Sequence, residues 1–485
     1  MSVSEIVVPP ATKRIKFSDI ENKDRFSNLP DSVIIHALSF LNTKLAVQTC
    51  ILSKRWKHLW KRLPNLTLHS EDFETYEKFA RLVSKILSLR DSSISLQDFD
   101  FKHSNDRVEH DLEEIVNYAI SHNVRRLGLH FNGDIAQIPS TMFFCRTLTH
   151  LKLFIHNGGS GCETLFPKSL DLPALTNLQL GNFEFGVYDN DRAEPFSTFN
   201  RLNSLLINNC IVSGSAKTLC VSNMTLVDFT LYNHKYNFYK IDLCTPSLCK
   251  FGFIGTPYHK LSGSNVSSLK YVDIDADIFS HRECPPLFLF SWLLEFVNIK
   301  SLTVTATTLQ VLSLYPNVLK NKLPSLRNLK SLKVKMEELS DKFRMTLRGV
   351  KLQKAKSMRE VDMILKAFEE GLIPSSPVPD GIVNFLLQNS PLAKVDFIEC
   401  SRQPYEERFV WHPSFIDCTV INVDVSYLSD VGRAGFGVLF RTGDGLLING
   451  YSGFLCESSN THAELAAILR GLKIFRSLGV KILGM

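Results

Sequence analysis

The dominant hydrophobic pattern of this chain places apolar residues at the first, fourth and sixth positions of a short segment. It recurs twelve times, and the first nine steps between copies are about 21 to 33 residues long, close to the period of solenoid repeats. The copies are Leu63/Leu66/Leu68, Leu96/Phe99/Phe101, Val124/Leu127/Leu129, Leu148/Leu151/Leu153, Leu175/Leu178/Leu180, Leu202/Leu205/Ile207, Leu226/Phe229/Leu231, Leu248/Phe251/Phe253, Leu269/Val272/Ile274, Ile299/Leu302/Val304, Leu329/Leu332/Val334 and Leu392/Val395/Phe397. Because alternate side chains of a strand point to one face, each copy predicts a short strand with its apolar residues inward.

This spacing resembles the LxxLxL signature of leucine-rich repeats, whose strands stack in parallel on one continuous core. Cys210 and Cys400 follow their strands at the position where such repeats place a cysteine, and there we expect a small buried side chain to satisfy turn backbone groups. Most other copies lack Asn or Cys at this position, so irregular turns are expected. A run of unrelated amphipathic strands is the alternative. A solenoid offers an extended concave surface that suits protein recognition and supplies no chemistry by itself.

Before the first repeat, the stretch from Asp24 to Trp60 predicts three short helices. Asn28 is a candidate N-cap for the first helix, with Pro30 in its first turn, while Thr43 and Ser53 are candidate caps for the second and third. A unit of this size cannot hold a large core of its own. We therefore expect a partner to cover its exposed apolar faces.

These residues resemble the F-box, the docking motif of substrate receptors in SCF-type ubiquitin ligases. The landmarks that carry the resemblance are Leu29-Pro30-Asp31, Phe40-Leu41, Val47, Cys50, Leu52-Ser53-Lys54-Arg55-Trp56 and Trp60. The resemblance implies docking to a Skp-type adaptor, which links to the cullin scaffold. The adaptor-binding residues it implies are Leu29, Pro30, Val33, Ile34, Leu38, Leu41, Val47, Leu52 and Trp56.

Two other interpretations of the N-terminal helices stay open. They could form an ordinary cap on the core, or a helix-turn-helix in which Lys54 to Arg62 faces DNA. No recognition helix with base-reading Asn, Gln or Arg side chains stands out, which weighs against DNA.

The step between the last two repeats is too long for one repeat. Within it, Ser340 to Gly371 predicts a basic helix, and Leu372 to Gly381 predicts a loop rich in Pro and Ser. We interpret the basic helix as a solvated face, with phosphate binding as the alternative. Ile382 to Cys400 resembles the FBD-type C-terminal segment, in which a helix ends near Asn389-Ser390-Pro391 and a strand follows. The F-box and the repeats together resemble the plant F-box/FBD/LRR family.

After Pro413 the sequence pattern changes. Strands are predicted at Thr419 to Val425, Gly435 to Phe440 and Leu446 to Phe454, followed by a helix that Thr461 can cap. These elements resemble the first half of an RNase H domain of the kind found in plant retroelements. The matching segments are Ile421-Asn422-Val423-Asp424, the strand GRAGFGVLF and Thr461-His462-Ala463-Glu464-Leu465-Ala466-Ala467.

RNase H chemistry needs several carboxylates that hold two divalent ions. The resemblance assigns the first two carboxylate positions to Asp424 and Glu464, and it places a third Asp after Leu483, where this sequence has Gly484 and Met485. We therefore expect a truncated, inactive remnant with no catalytic residues, no metal and no cofactor. Under the alternative, the segment binds nucleic acid or cleaves RNA–DNA hybrids with Mg²⁺.

Length and composition limit the number of domains, the kinds of partner and the cellular compartment. A length of 485 residues predicts two to four domains, and the 34 phenylalanines indicate a long core. The net charge of +6 is too mild to require a nucleic-acid or membrane partner. The eleven cysteines include no CxxC pair, so free thiols in a reducing compartment, the nucleus or the cytoplasm, are expected. No signal peptide is predicted, and the run from Pro285 to Val297 is too short to span a bilayer.

The basic residues Lys13, Arg14 and Lys16 fit a disordered tail or a nuclear import signal. The predicted fold class is α/β, and the predicted order is a basic N-terminus (1–23), the F-box (24–62), leucine-rich repeats (63–335), a helical insertion with an FBD-like last repeat (336–410) and the RNase H-like segment (413–485). The predicted function is a non-enzymatic substrate receptor of a ubiquitin ligase, with an unknown protein as its substrate.

Overall fold

The chain separates into two compact units, Met1–Ser401 and Arg402–Met485, and each is considered by itself. The computed structural model describes residues 29–103, 111–156, 164–167, 170–186, 192–213, 218–234, 239–263, 267–278, 285–314, 326–369, 378–399, 419–428, 433–442 and 447–455. The basic cluster near the N-terminus and residues 372–377 of the predicted loop Leu372–Gly381 lie outside these residues.

The first unit is built on one sheet of twelve strands, in which every neighbouring pair is parallel. Its strands, in order across the sheet, are β1 (Asn65–His69), β2 (Asp98–His103), β3 (Arg126–Asn132), β4 (His150–His156), β6 (Asn177–Gly181), β9 (Ser204–Asn208), β12 (Asp228–Asn233), β14 (Lys250–Gly255), β16 (Tyr271–Ala276), β17 (Ser301–Thr305), β18 (Ser331–Met336) and β19 (Lys394–Glu399). Each of the twelve predicted copies supplies one strand, so the predicted parallel solenoid is confirmed.

The register of the sheet keeps equivalent positions of the repeats side by side. Leu66 pairs with Phe99, and Leu178 pairs with Leu205; the same match holds along the whole sheet. The apolar side chains of the first eleven copies are buried. The alternation of the strand therefore places them inward, as the pattern predicts.

The last copy departs from the prediction. Leu392 is 98% exposed and Phe397 is 56% exposed, so the expectation that they point into the core is wrong. Their strand, β19, is an edge of the sheet, and within the described residues no further repeat covers it. A repeat buries its apolar side against neighbours, and this one has a neighbour on one side alone.

The segments that connect the strands differ along the sheet. The connections on either side of β2 are the helices Tyr76–Leu89 and Asp111–Ser121, and later ones contain Pro285–Glu295 and Ala306–Ser313. In the middle, the return segments form two small parallel sheets that sequence analysis did not predict. One consists of β5 (Thr164–Leu165), β7 (Phe183–Phe185) and β10 (Ile211–Val212), and the other of β8 (Arg192–Ala193), β11 (Thr218–Ser222), β13 (Lys240–Cys244) and β15 (Lys260–Ser262).

The core between these layers is rich in aromatic residues, as the phenylalanine content predicts. Within the described residues, the largest fully buried side chains are Trp292 and ten phenylalanines. Trp292 contacts Phe253 edge to face, with ring centroids 4.7 Å apart, and its indole N–H donates to the His259 carbonyl over 2.7 Å. The run that contains Trp292 is thus a buried helix. Within the described residues, no helix is long and apolar enough to cross a membrane.

The basic region after β18 is two helices, Asp341–Lys354 and Met358–Glu369, so the prediction of one continuous helix is wrong. The second helix has its own start signal. The Ser357 hydroxyl accepts from the Glu360 N–H (3.3 Å), and the Glu360 carboxylate accepts from the Lys356 N–H (2.6 Å). The bond to Ser357 is that of an N-cap, and the Glu360 bond goes to the N–H one residue before it; together they begin a new helix.

The cysteines for which the structure gives a state are free: Cys50, Cys145, Cys210, Cys220, Cys244 and Cys249. Cys210 performs the predicted role, because its buried thiol accepts from the Phe183 N–H (3.4 Å) and lies 3.5 Å from the Asn208 carbonyl. Cys400 lies outside the described residues.

The second unit contains three antiparallel strands, β20 (Thr419–Leu428), β21 (Arg433–Thr442) and β22 (Leu447–Leu455), with β21 in the middle. The three predicted strands of the tail are therefore confirmed; the first two are longer than predicted, and the third is shifted by one residue. Asp424 lies within β20 and pairs with Gly437 of β21. Glu464 and the predicted helix around it lie outside the described residues.

Candidate docking surfaces

Four short helical segments precede the sheet: the α-helices Asp31–Leu38 and Thr43–Gln48 and the 3₁₀ helices Thr49–Ile51 and Trp56–Arg62. Pro30 is the residue just before the first helix, so the prediction that it lies within the first turn is wrong. Its extended backbone sets the direction in which the chain enters the helix. Asn28, the predicted cap, lies outside the described residues.

The second helix is capped by Asn42, whose side-chain oxygen accepts from the Leu45 N–H over 2.8 Å. The prediction that Thr43 is this cap is wrong. Thr43 is buried, and its hydroxyl instead accepts from the Thr67 N–H of β1 over 2.7 Å. This bond satisfies a donor on the edge strand of the sheet and fixes the helical segment against the first repeat.

Arg55 joins the first and last helical segments. Its Nε and Nη2 donate to Asp31 Oδ1 over 2.9 and 2.6 Å, and Nη2 also donates to the Leu29 carbonyl. Arg55 is also the residue directly before the last helical segment, Trp56–Arg62. The prediction that Ser53 is the N-cap of this segment is therefore wrong. The contacts of Arg55 therefore set the position of Leu29 and Pro30 relative to the rest of the domain.

The structure separates the predicted adaptor-binding residues into two groups. Ile34 and Leu38 are buried, at 2% and 1% exposure. In this conformation they cannot touch a partner, and they hold the helices together. Those that reach the surface fully or in part are Leu29, Pro30, Val33, Leu41, Val47, Leu52 and Trp56. Whether these side chains contact the adaptor stays a prediction.

Sequence reasoning missed the two most exposed apolar side chains of this region. Phe40 is 75% exposed and Ile51 is 84% exposed. Both directly precede a predicted contact residue, Leu41 and Leu52, in the sequence. A large apolar group at such exposure indicates a surface that a partner covers. The available signals were the place of Phe40 among the landmarks of the resemblance and the position of Ile51 directly before Leu52.

A second surface is the outward face of the long sheet, where polar side chains alternate with the buried ones. Its charges are paired across strands. Arg126 bonds Asp98, Lys250 lies 3.1 Å from Asp228, and Lys335 lies 2.9 Å from Asp273. His69 contributes a 2.9 Å contact to Asp100. This face can bind another molecule through shape and hydrogen bonds, and its own pairing limits the net charge it presents.

Asp275, near the C-terminal end of β16 on the outward face, has a carboxyl group with a raised pKa. Burial, together with the nearby charge of Glu337, raises the pKa of Asp275 to about 6. The Thr305 hydroxyl donates to Asp275 over 3.0 Å and opposes this rise. The neighbouring Asp277 also has a pKa raised by burial, and it accepts from the Thr256 hydroxyl over 2.7 Å.

His259 is a core residue and carries no chemistry. Burial lowers the pKa of its imidazole to about 4, so the ring stays neutral. It packs against Tyr239 with ring centroids 4.1 Å apart, and its Nδ1 lies 3.3 Å from the Tyr239 carbonyl.

A divalent-ion site in the tail would need several carboxylates close together. Within the described residues, no group of three or more His, Cys, Asp or Glu side chains could hold a metal ion. Asp424 is the one carboxylate of the expected set that lies in a described strand. The described residues therefore do not fit a two-ion centre, and no catalytic step is derived from them.

Two known protein families match this chain, one near each end. The F-box domain family matches residues 26–68, and the reverse transcriptase-like family matches residues 422–484. The first match spans the helical segments and β1, and the second spans the antiparallel strands of the tail.

Curated relatives from Arabidopsis thaliana match larger or smaller parts of the chain. An F-box/FBD/LRR-repeat protein is 27% identical over 66% of this chain and 74% of its own length. A second one is 35% identical over 28% of this chain and 31% of its own length, and an FBD-associated F-box protein is 27% identical over 52% and 55%. For the latter two, the match spans less than two thirds of the relative.

The chain therefore carries an N-terminal F-box domain and a parallel sheet of leucine-rich-repeat type, followed by a reverse transcriptase-like segment. Its curated relatives are plant F-box proteins with FBD and leucine-rich-repeat regions. This arrangement supports substrate recognition as its general role.

Proposed function

We propose that the protein is the substrate-recognition subunit of an SCF-type ubiquitin ligase. The F-box domain match, on a region fixed to the first strand of a long repeat sheet, carries this proposal. In it, the F-box docks a Skp-type adaptor that links to the cullin scaffold. The repeats bind the target protein, and other subunits carry out ubiquitin transfer.

The side chains proposed to meet the adaptor are the apolar ones that reach the surface of the F-box. Leu29 and Pro30 stand at the entry of the first helix, where Arg55 holds them, and Phe40 and Ile51 add the largest exposed apolar area. Binding energy at protein interfaces concentrates in a few such anchors. Ile34 and Leu38 support them from beneath.

The outward face of the sheet is proposed to select the target. It extends over twelve strands, and its polar rows, with their paired charges, vary from strand to strand. An extended face of this kind suits recognition of a protein surface. The free state of the described cysteines supports a reducing compartment, and we propose the nucleus or the cytoplasm.

The test is co-purification of the full chain with a recombinant Skp-type adaptor. Replacement of Leu29 and Pro30 by Ala should weaken adaptor capture strongly, and so should replacement of Phe40 and Ile51. The matched control is Leu165→Ala, an exposed leucine far from the F-box in sequence. Capture that both double variants retain in full would reject the proposal. In a separate experiment, affinity purification of the chain with its repeats intact, followed by mass spectrometry, would identify the target protein.

A second candidate function rests on the reverse transcriptase-like match. The tail would bind nucleic acid, or cleave the RNA strand of an RNA–DNA hybrid with Mg²⁺, through Asp424 and Glu464. This candidate ranks below the first because it rests on residues 422–484 alone, whereas the F-box and the repeat sheet make up most of the chain.

A further inference from the structure

A row of cations follows one side of the helix Asp341–Lys354. Arg344, Arg348 and Lys351 are spaced four and three residues apart, so they lie along one line of the helix over about 10 Å. We call these three residues the basic stripe. Phe343, Leu347 and Val350 each precede a stripe residue, about 100° around the helix, and their burial in the core fixes the orientation of the stripe. Helix geometry therefore determines which cations belong to the stripe.

Unlike several cations of the sheet, the basic stripe has no counter-charge among the described residues. On the sheet, the cations Arg126, Lys250 and Lys335 each contact an aspartate. Within the described residues, none of the three stripe side chains makes a hydrogen bond or an ion pair. Uncompensated positive charge on a fixed helix attracts an anionic partner.

At one end of the stripe, partial burial makes contact with a partner carboxylate more favourable. Lys351 is half-buried, and loss of hydration lowers the pKa of its ammonium group. Arg348 is also half-buried, whereas Arg344 is exposed. A cation that has lost part of its water without gaining a carboxylate is stabilised when a partner supplies one.

Apolar groups lie beside the stripe. Met345, next to Arg344, is 65% exposed, and Leu352, next to Lys351, is half-buried. The following helix, Met358–Glu369, adds Met358 and Met363 at 73% and 63% exposure. Exposed methionines are adaptable contact residues at protein-binding surfaces.

We propose that the basic stripe and Met345 form a docking surface for an acidic amphipathic helix of a partner protein. Carboxylates spaced four and three residues apart on that helix would face the three cations, and its apolar side chains would cover Met345 and Leu352. This surface is distinct from the F-box, and its test does not depend on adaptor binding.

Nucleic acid fits the same surface less well. Proteins that bind single strands combine a basic groove with aromatic side chains on which bases stack. The aromatic residues of the two helices are Phe343, which is buried, and Phe368, which is packed against the core. The exposed neighbours of the cations are methionines, and the net charge of the chain is a mild +6.

The experiment measures binding of a fluorescent peptide to the full chain by anisotropy. The probe is a helical peptide of about four turns with Glu at positions matching the stripe and Leu beside them. A scrambled peptide of the same composition and a single-stranded RNA of similar length are the comparison probes. Wild type should bind the patterned peptide in preference to both.

Two charge-reversal variants test the location. Arg344→Glu with Arg348→Glu should weaken peptide binding by roughly tenfold or more, since each reversal replaces attraction with repulsion. The matched control is Arg146→Glu with Arg201→Glu, which makes the same charge change at two exposed arginines of other repeats. This control should leave binding within about twofold. Adaptor capture should be unchanged in both variants, which separates this proposal from the proposed function.

Folding is checked by thermal melting. If the reversal variant melts lower than wild type, the double variant Arg344→Gln with Arg348→Gln replaces it. This variant should show a smaller but measurable loss of peptide binding. Absence of saturable peptide binding, equal loss in the control variant, or tighter binding of the RNA than of the peptide would each overturn the proposal.

Discussion

The hydroxyl of Thr43, in the second helix, accepts a hydrogen bond of 2.7 Å from the backbone N–H of Thr67, in the first strand. The bond joins the F-box to the edge of the repeat sheet, and Thr43 is buried there. Solenoids need a terminal element that covers the first repeat. The F-box helices provide this cover while their other sides remain free for a partner.

Loss of this bond should be costly. We predict that Thr43→Val lowers the free energy of unfolding by about 1–3 kcal/mol, because the Thr67 N–H loses its acceptor in a buried site. Urea denaturation measures the change. Thr49→Val is the comparison, since the buried Thr49 hydroxyl donates to the Ala46 carbonyl within the F-box and makes no bond to the sheet. If Thr43→Val left the stability unchanged, the bond would not fix the F-box to the sheet.

The register of the sheet leads to a second prediction. Leu178 is 1% exposed and pairs with Leu151 on one side and Leu205 on the other. Leu178→Ala should cost about 2–5 kcal/mol, since it removes buried methyl groups and leaves a cavity. Gln179→Ala, on the outward side of the same strand, should change stability by less than about 0.5 kcal/mol. Similar losses in both variants would contradict the assignment of inward and outward positions.

The raised pKa of Asp275 predicts a dependence of stability on pH. The folded pKa of about 6 lies above the ordinary value of 3.8, so the folded chain retains a proton that the unfolded chain releases. This group therefore opposes folding above pH 6, and the penalty disappears as the pH falls below the ordinary value. Asp275→Asn should raise the melting temperature at pH 7.5 by roughly 2 °C or more and have little effect at pH 4.

The control for this prediction is Asp273→Asn. Asp273 lies two residues earlier in the same strand, but Lys335 contacts it at 2.9 Å, so its replacement should not stabilise the protein at pH 7.5. Asp275→Asn variants that melt at or below the wild-type temperature at pH 7.5 would show that the carboxylate is not penalised there.

The tail gives the fourth prediction. We expect the 485-residue polypeptide not to cleave an RNA–DNA hybrid with Mg²⁺ or Mn²⁺. Mg²⁺ requires near-ideal octahedral oxygen ligation, and Asp424 and Glu464 can hold one ion loosely at most. Wild type and Asp424→Asn should give equal background signal in a hybrid-cleavage assay. Cleavage that disappears in Asp424→Asn would establish the nuclease function instead.

Local pattern was enough to predict the repeat sheet. A strand has a side-chain period of two, so Leu178 and Leu180 face the same side, and both face the core if their segment is a strand. The return strands carried no comparable signal, because β5 and β8 have two residues each and no period can be read from them. The break at Ser357 was also readable as a capping pattern, but the run of basic residues across it suggested one helix.

The sequence by itself determined the kinds of element and the order of domains, because those depend on local spacing and on short motifs. Tertiary structure decided which residues of a motif are available to a partner. Ile34 and Leu38 belong to the same motif as Leu29 and Pro30, yet packing against the neighbouring helices buries the first pair and leaves Pro30 exposed. Likewise, Leu392 has the same repeat position as the buried Leu175, but it lies next to an edge strand, where no described neighbour covers it. Burial depends on what packs against a residue, and that information is not local.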